Sequence, residues 1–157
     1  MSVSILIDKS ARRLRAYAQG RCVLDCRVAL GFGASDGHKR REGDGRTPEG
    51  RYFVCTKNAV SRYHLALGIS YPNASDARAA FERGEIDENT CSGIARAEAE
   101  KRRPDWQTPL GGYIMIHGEG AQARVGDWTA GCVALANLQM EKLFALAQPG
   151  DEVVIRP

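Results

Sequence analysis

Apolar and polar residues alternate through much of the first seventy positions, the two-residue period of strands with one buried face. Residues 3–8 (VSILID) and 13–18 (RLRAYA) are short alternating runs around an Asp-Lys-Ser turn and predict a hairpin. Residues 21–30 place Cys22, Leu24, Cys26, Val28 and Leu30 on one face. The alternation then stops. Residues 31–50, GFGASDGHKRREGDGRTPEG, hold six glycines and five basic side chains counting His38, the composition of a long polar loop. The spacing of Gly31, Gly33 and Gly37 matches neither a phosphate loop nor a dinucleotide fingerprint. Strand patterning returns at 51–57 (RYFVCTK) and 65–71 (LALGISY).

Between 74 and 103 the period becomes helical. Ala77, Ala80 and Phe81 recur at one spacing, and Cys91, Ile94, Ala95, Glu98 and Ala99 at another. Two short helices are expected, divided near Gly84 and stopped by Pro104. Lys101, Arg102 and Arg103 would sit at the C-terminal end of the second, where the helix dipole favours cations. Such a helical pair inside a β-rich chain reads as a lid over one face of the sheet. After Gly111-Gly112, YIMIHG is a strand with Tyr113, Met115 and His117 on one face. A loop over 118–128 leads to TAGCVAL. A helix with Met140, Leu143, Phe144 and Ala147 on one stripe follows, with Asn137 as its N-cap. A Pro149-Gly150 turn and a final strand, EVVIR, close the chain. The fold class is therefore mostly β, sandwich-like or barrel-like. It has seven or eight strands, a two-helix lid insertion over about 74–103, one C-terminal helix, and a single domain over 1–157.

Composition narrows the function. The 157 residues carry a formal net charge of only +3, with 43% hydrophobic and 26% charged residues, ordinary values for a globular domain. No basic stripe studded with aromatics argues for nucleic acid, and no apolar run approaches the ~20 residues of a membrane span. The opening MSVSILIDKS has no basic segment followed by a long apolar run, so a cytoplasmic location is expected. Five cysteines, at 22, 26, 55, 91 and 132, form neither a CxxC pair nor a zinc pattern. No metal or cofactor is expected. Cys22, Cys26 and Cys55 read as small buried hydrophobes, and free thiols suit a reducing compartment.

Three histidines stand at 38, 64 and 117. His38 lies in the polar loop and reads as exposed, and His64 lies at a strand entrance. His117 ends an apolar strand and precedes Gly118. Cys132 follows Thr129-Ala130-Gly131, where small neighbours leave backbone amides open to hold an oxyanion. A thiol is a poor nucleophile at neutral pH until a base takes its proton, and His117 is the natural base. Spacing alone leaves open a core cysteine beside a satisfied histidine.

The stretch TPLGGYIMIHGEGAQARVGDWTAGCVAL (108–135) resembles the signature of the L,D-transpeptidase (YkuD-type) family: a strand-end His-Gly, a loop, then Ser/Thr-x-Gly-Cys and a hydrophobic residue. GDGRTPEGRYFV (43–54) is similar to the family's Thr-Pro-x-Gly-x-Phe segment, and LGISYPN (67–73) to a strand beside its catalytic site. The resemblance implies Cys132 as nucleophile, His117 as base and later acid, and the Gly118 carbonyl as the group orienting the imidazole. It implies the amides of Gly131 and Cys132 as the oxyanion hole, and Thr129, Tyr71 and Trp128 around the substrate. Ala130 and Ala134 stand where many members carry larger polar residues, and the loop from His117 to Cys132 is short. Another group must therefore bind substrate; Arg62, Arg46 and Arg124 are the candidates for holding a terminal carboxylate.

The implied substrate is a murein tetrapeptide or muropeptide, cut between diaminopimelate and terminal D-alanine. Carbapenems would act as covalent inhibitors. With a plain N-terminus, hydrolysis by an L,D-carboxypeptidase of muropeptide recycling is expected ahead of crosslinking by an exported L,D-transpeptidase. A non-catalytic murein-peptide-binding domain and a thiol redox protein are the readings of another class.

Overall fold

A computed structural model describes residues 2–122 and 124–157. Eight strands form one sheet: β1 (Ser4–Asp8), β2 (Arg13–Ala18), β3 (Arg21–Arg27), β4 (Gly50–Ser61), β5 (His64–Ile69), β6 (Met115–Gly118), β7 (Val133–Leu135) and β8 (Glu152–Arg156). Their order is β3-β2-β1-β8-β4-β5-β6-β7. The last strand thus enters the middle, parallel to β1 and antiparallel to β4. The two outer ends of the sheet then meet. Ala29, just past β3, exchanges both backbone hydrogen bonds with Ala134 of β7 at 2.9 Å, and Gly31 bridges Thr129. The sheet is thereby nearly closed, which pairs backbone groups that an open edge would leave to solvent.

Alternation places the core where the sequence predicts it. Ile5, Ile7, Leu14, Ala16, Val153 and Ile155 are buried from one half of the sheet, and Leu67, Ile116, Val133 and Leu135 from the other. Helix α3 (Asn137–Leu146) seals this interior with Met140 and Leu143. Helices α1 (Ala74–Glu82) and α2 (Glu88–Ala99) form the expected insertion. The Asn73 side chain accepts from the Asp76 amide, and Asp76 accepts in return from the Asn73 amide, a reciprocal cap that satisfies two free helix-start donors. Asp87 caps α2. That helix ends before Pro104 is reached, and Lys101 turns left-handed at φ +54°. Among the described residues, no helix is long and apolar enough to cross a membrane.

Several local expectations are corrected. Cys22 is exposed, because a register shift between Ala16 and Tyr17 breaks the β2–β3 pairing there; regular burial begins only at Leu24. Tyr113 lies outside the strand, with φ +58° and half its surface open, so it shares no strand face with Met115. Asn137 is not the cap of α3; Ala136 holds that position without a side-chain bond. His38 is half-buried and not a free surface group. Its Nδ1 accepts from the Glu49 amide at 2.7 Å, and Nε2 lies 2.7 Å from Asp76 Oδ1.

Candidate active site

Strands β6 and β7 run parallel, with Ile116 beside Val133 and His117 beside Ala134. Ile116 and Val133 face the core. Side chains alternate along a strand, so Met115 and His117 lie on the opposite face. Cys132, one step before β7, falls beside Met115 on that same face. Cys132 and His117 are thus on adjacent stretches of chain, offset by two residues, roughly 6.6 Å along the strand direction.

A carbonyl fixes the tautomer of His117. Nδ1 lies 2.6 Å from the Gly118 oxygen. A carbonyl oxygen only accepts, so Nδ1 carries the proton and Nε2 is left as a base. Tyr63 stacks on the imidazole, with centroids 4.6 Å apart and planes 22° apart, and Trp128 meets it edge-on at 5.8 Å. The ring is 3% exposed. Burial lowers its pKa below the ordinary histidine value, against the opposing bond to Gly118. His117 is therefore neutral at neutral pH.

The Cys132 sulfur sits between two backbone groups. Sγ accepts from the Met115 amide at 3.3 Å and donates to the Tyr113 carbonyl at 3.4 Å. Burial raises the thiol pKa, while the Met115 amide and the more distant Lys39 charge pull it down. Both shifts favour the neutral forms, thiol and imidazole. The thiol borders a groove of about 270 Å³ between Phe32 and Tyr113.

Thr129 shapes the turn that carries Cys132. Its hydroxyl donates to the Cys132 carbonyl at 2.7 Å and accepts from the Gly131 amide at 3.1 Å. Gly131 has φ +141°, and a Cβ there would meet the Arg46 carbonyl oxygen at 2.8 Å, so only glycine fits without strain. Because the Gly131 amide is already bonded to Thr129, Cys132 contributes the freer of the two amides expected to form an oxyanion hole. Gly118 is equally crowded: a Cβ would meet the Tyr63 carbonyl oxygen at 3.0 Å and His64 Cβ at 3.2 Å.

The other expected site residues separate into groups. Tyr71 is fully buried, with its hydroxyl donating to the Leu110 carbonyl at 2.9 Å and its ring packed near Tyr52. It is a core residue and not a substrate contact, because β5 and the segment after it are covered on both faces. Trp128 joins the cage around His117; its buried Nε1 has no partner among the described residues. Arg62 stacks on Tyr63 at 5.1 Å and Arg124 on Trp128 at 4.5 Å. Arg46 reaches the His38 carbonyl at 3.4 Å. None of these arginines lines the groove at Cys132; Lys39 does. His64 pairs with Glu141 at 2.9 Å, beside Gly118 and outside the groove at Cys132. Of the two inserted helices only α1 and its C-terminal cap border a neighbouring cavity, through Ser75, Asp76, Ala79 and Arg83, while residues from the 32–45 and 111–114 loops wall the groove itself.

Sequence reasoning missed Tyr63, which lies at the tip of the β4–β5 hairpin, and Lys39, hidden in a basic run. It also misassigned Asn137. That side chain accepts from the Gly120 amide at 3.1 Å and donates to its carbonyl at 2.7 Å, tying the loop after His117 to α3. Among the described residues, no group of three or more His, Cys, Asp or Glu is placed to hold a metal ion.

A family model described as the L,D-transpeptidase catalytic domain, YkuD, matches residues 2–155. The putative L,D-transpeptidase YafK of Escherichia coli K12 is 27% identical over 168 residues, covering 99% of this chain and 54% of that protein. Among solved structures, the K307A mutant of the helical cell shape determining protein Pgp2 from Campylobacter jejuni aligns with TM-score 0.67 at 24% identity, over 98% of this chain and 46% of its own. The Ldtfm–avibactam carbamoyl enzyme aligns with TM-score 0.58 at 15% identity, over 100% of this chain and 49% of its own. The chain spans about half the length of these proteins.

Proposed function

Since the chain belongs to the L,D-transpeptidase catalytic-domain (YkuD) family, we propose that it is a cysteine acyl-transfer enzyme that cleaves the bond between diaminopimelate and terminal D-alanine of murein tetrapeptides. The family acts on peptidoglycan peptides. The single observation that carries the catalytic reading is the imidazole locked by Gly118, with Nε2 free on the strand face that presents Cys132. Cys132 Sγ attacks the diaminopimelate carbonyl while Nε2 takes the thiol proton. The C–N bond then breaks, and the same proton passes to the leaving D-alanine amine. Water, deprotonated by His117, attacks the thioester, giving the shortened peptide and restoring the thiol. The proposed reaction is L,D-carboxypeptidase hydrolysis, and the proposed setting is cytoplasmic muropeptide recycling.

A second reading, L,D-transpeptidation, is favoured by one feature. A groove of about 510 Å³, lined in part by Arg12, Glu119, Arg124 and Asp127, reaches Ala134 beside His117 and offers room for an acceptor amine. Incubation with a murein tetrapeptide, with and without an amine or D-amino acid acceptor, separates the two by mass spectrometry. Release of D-alanine without acceptor supports hydrolysis; exchange that requires acceptor supports transfer. Binding without any Cys132-dependent product would leave a non-catalytic murein-peptide-binding domain. Carbapenems are expected to acylate Cys132, read as an increase in intact mass that Cys132→Ala lacks.

A further inference from the structure

Lys39 is a buried cation with one unassigned donor. Its ammonium donates to the Arg41 carbonyl at 3.1 Å and to Asp44 Oδ1 at 3.0 Å. An ammonium has three donors, and the third has no partner among the described residues. Lys39 is 3% exposed. A buried cation is costly to keep unless its charge is compensated. Asp44 compensates it, but only in part. Oδ2 of Asp44 accepts from the amides of Arg40 and Arg41 at 2.8 and 3.1 Å, and Oδ1 also accepts from the Arg46 amide at 3.1 Å. Burial pushes the Asp44 carboxyl up, yet the Arg40 and Arg46 amides, Lys39 and the Arg41 amide outweigh it and hold the group ionised. Asp44 divides its hydrogen-bonding capacity among three amides and one ammonium N–H, which leaves the lysine's third N–H, and the positive charge it carries, open to another acceptor.

That charge borders the groove of Cys132. The groove has exposed aromatic walls, Phe32 and Tyr113, which are 67% and 50% open. Glu42 stands exposed on its rim. None of the arginines expected to bind a carboxylate lines this groove: Arg62 and Arg124 lie on the aromatic faces of Tyr63 and Trp128, and Arg46 reaches the His38 carbonyl. In the cleavage proposed above, the leaving residue's carboxylate lies only one residue, about 3.8 Å in Cα spacing, beyond the scissile carbonyl. Lys39 also borders the cavity beside α1; Cys132 lines only the groove on its other side.

We propose that Lys39 is the substrate-binding residue that reads the terminal carboxylate of the leaving amino acid, through its third N–H, at the Cys132 end of the groove. The proposal rests on the acyl-transfer reading. It makes the enzyme an exopeptidase by electrostatics, since a chain continuing past the leaving residue offers no carboxylate at that point. Charge-assisted hydrogen bonds of this kind discriminate by about ten- to a hundredfold.

The test compares a murein tetrapeptide ending in free D-alanine with the same peptide ending in D-alaninamide. Wild type is expected to favour the free acid by about ten- to a hundredfold in kcat/KM. In Lys39→Met the ratio should fall to about one, through KM more than kcat. A loss that merely reflected a disturbed loop would lower both peptides and leave the ratio standing. Should Lys39→Met not fold, wild type labelled in its lysine side chains decides: the Lys39 resonance should move on titration with D-alanine and not with D-alaninamide. A full acid preference in Lys39→Met, equal turnover of both peptides by wild type, or a silent Lys39 resonance would overturn the proposal. Turnover of neither peptide by wild type would sink the acyl-transfer reading and this proposal together.

Discussion

One proton organises the site at the scale of the residue. Because Gly118 accepts from Nδ1, His117 presents Nε2 as a base without a third catalytic side chain. Burial holds its pKa below the ordinary value of 6.5. The base works only when neutral, so activity should persist below pH 6.5 and fall as the imidazole protonates there. The Cys132 thiol, raised by burial, should set no acidic limb of its own. Tyr63 is a positioning residue in this scheme, since its stacked ring keeps water from the imidazole. In Tyr63→Leu the acidic limb should move up toward 6.5, while Tyr63→Phe restores it. Imidazole resonances titrated by NMR report the same shift without substrate. An unchanged His117 titration in Tyr63→Leu would refute this role. Cys132 and His117 were legible because strand-end His-Gly and Thr-Ala-Gly-Cys are local patterns. Lys39 was not, because four other basic groups share its loop and only folding buries one of them. Tyr71 was placed around the substrate by the resemblance alone, and the structure puts it in the core, because both faces are covered at the end of β5.

At the scale of the element, the site depends on a short parallel pair and the turn that enters it. Thr129 spans that turn with two hydrogen bonds from one hydroxyl. Thr129→Val keeps the shape and leaves the Cys132 carbonyl and the Gly131 amide without it. A cost of about 1–3 kcal/mol is expected, seen as a thermal midpoint lower by roughly 2–4 °C per kcal/mol for a domain of this size. A midpoint within experimental error of wild type would show that the turn holds without Thr129. Periodicity located β1, β2, β8 and all three helices well, because each has a clean one-faced pattern. It failed where pairing sets the geometry: at the register shift that exposes Cys22, and at Tyr113, whose backbone turns left-handed before β6 starts. Asn137 was misplaced because a cap and a loop tie use the same side-chain chemistry.

For the whole molecule, the seam between the segment after β3 and β7 brings two distant stretches of chain against the site. Ala29 and Ala134 hold it with two backbone bonds. Ala29→Pro removes one donor and should loosen the seam. Hydrogen exchange over 133–135 is expected to quicken, with activity lost more steeply than stability. Unaltered exchange there would deny the seam a role. Barrel-like closure could be anticipated only in outline, since the order β3-β2-β1-β8-β4 sends the final strand between the first and the fourth, a long-range choice no local pattern encodes. All of this scaffolding serves one claim, that Cys132 carries the acyl group. The direct measurement is rapid-quench intact mass of the enzyme mixed with murein tetrapeptide, alongside assay of free D-alanine. The account predicts a transient adduct of the peptide minus D-alanine on Cys132, and neither adduct nor release in Cys132→Ala. Release of D-alanine by Cys132→Ala at the wild-type rate would contradict it.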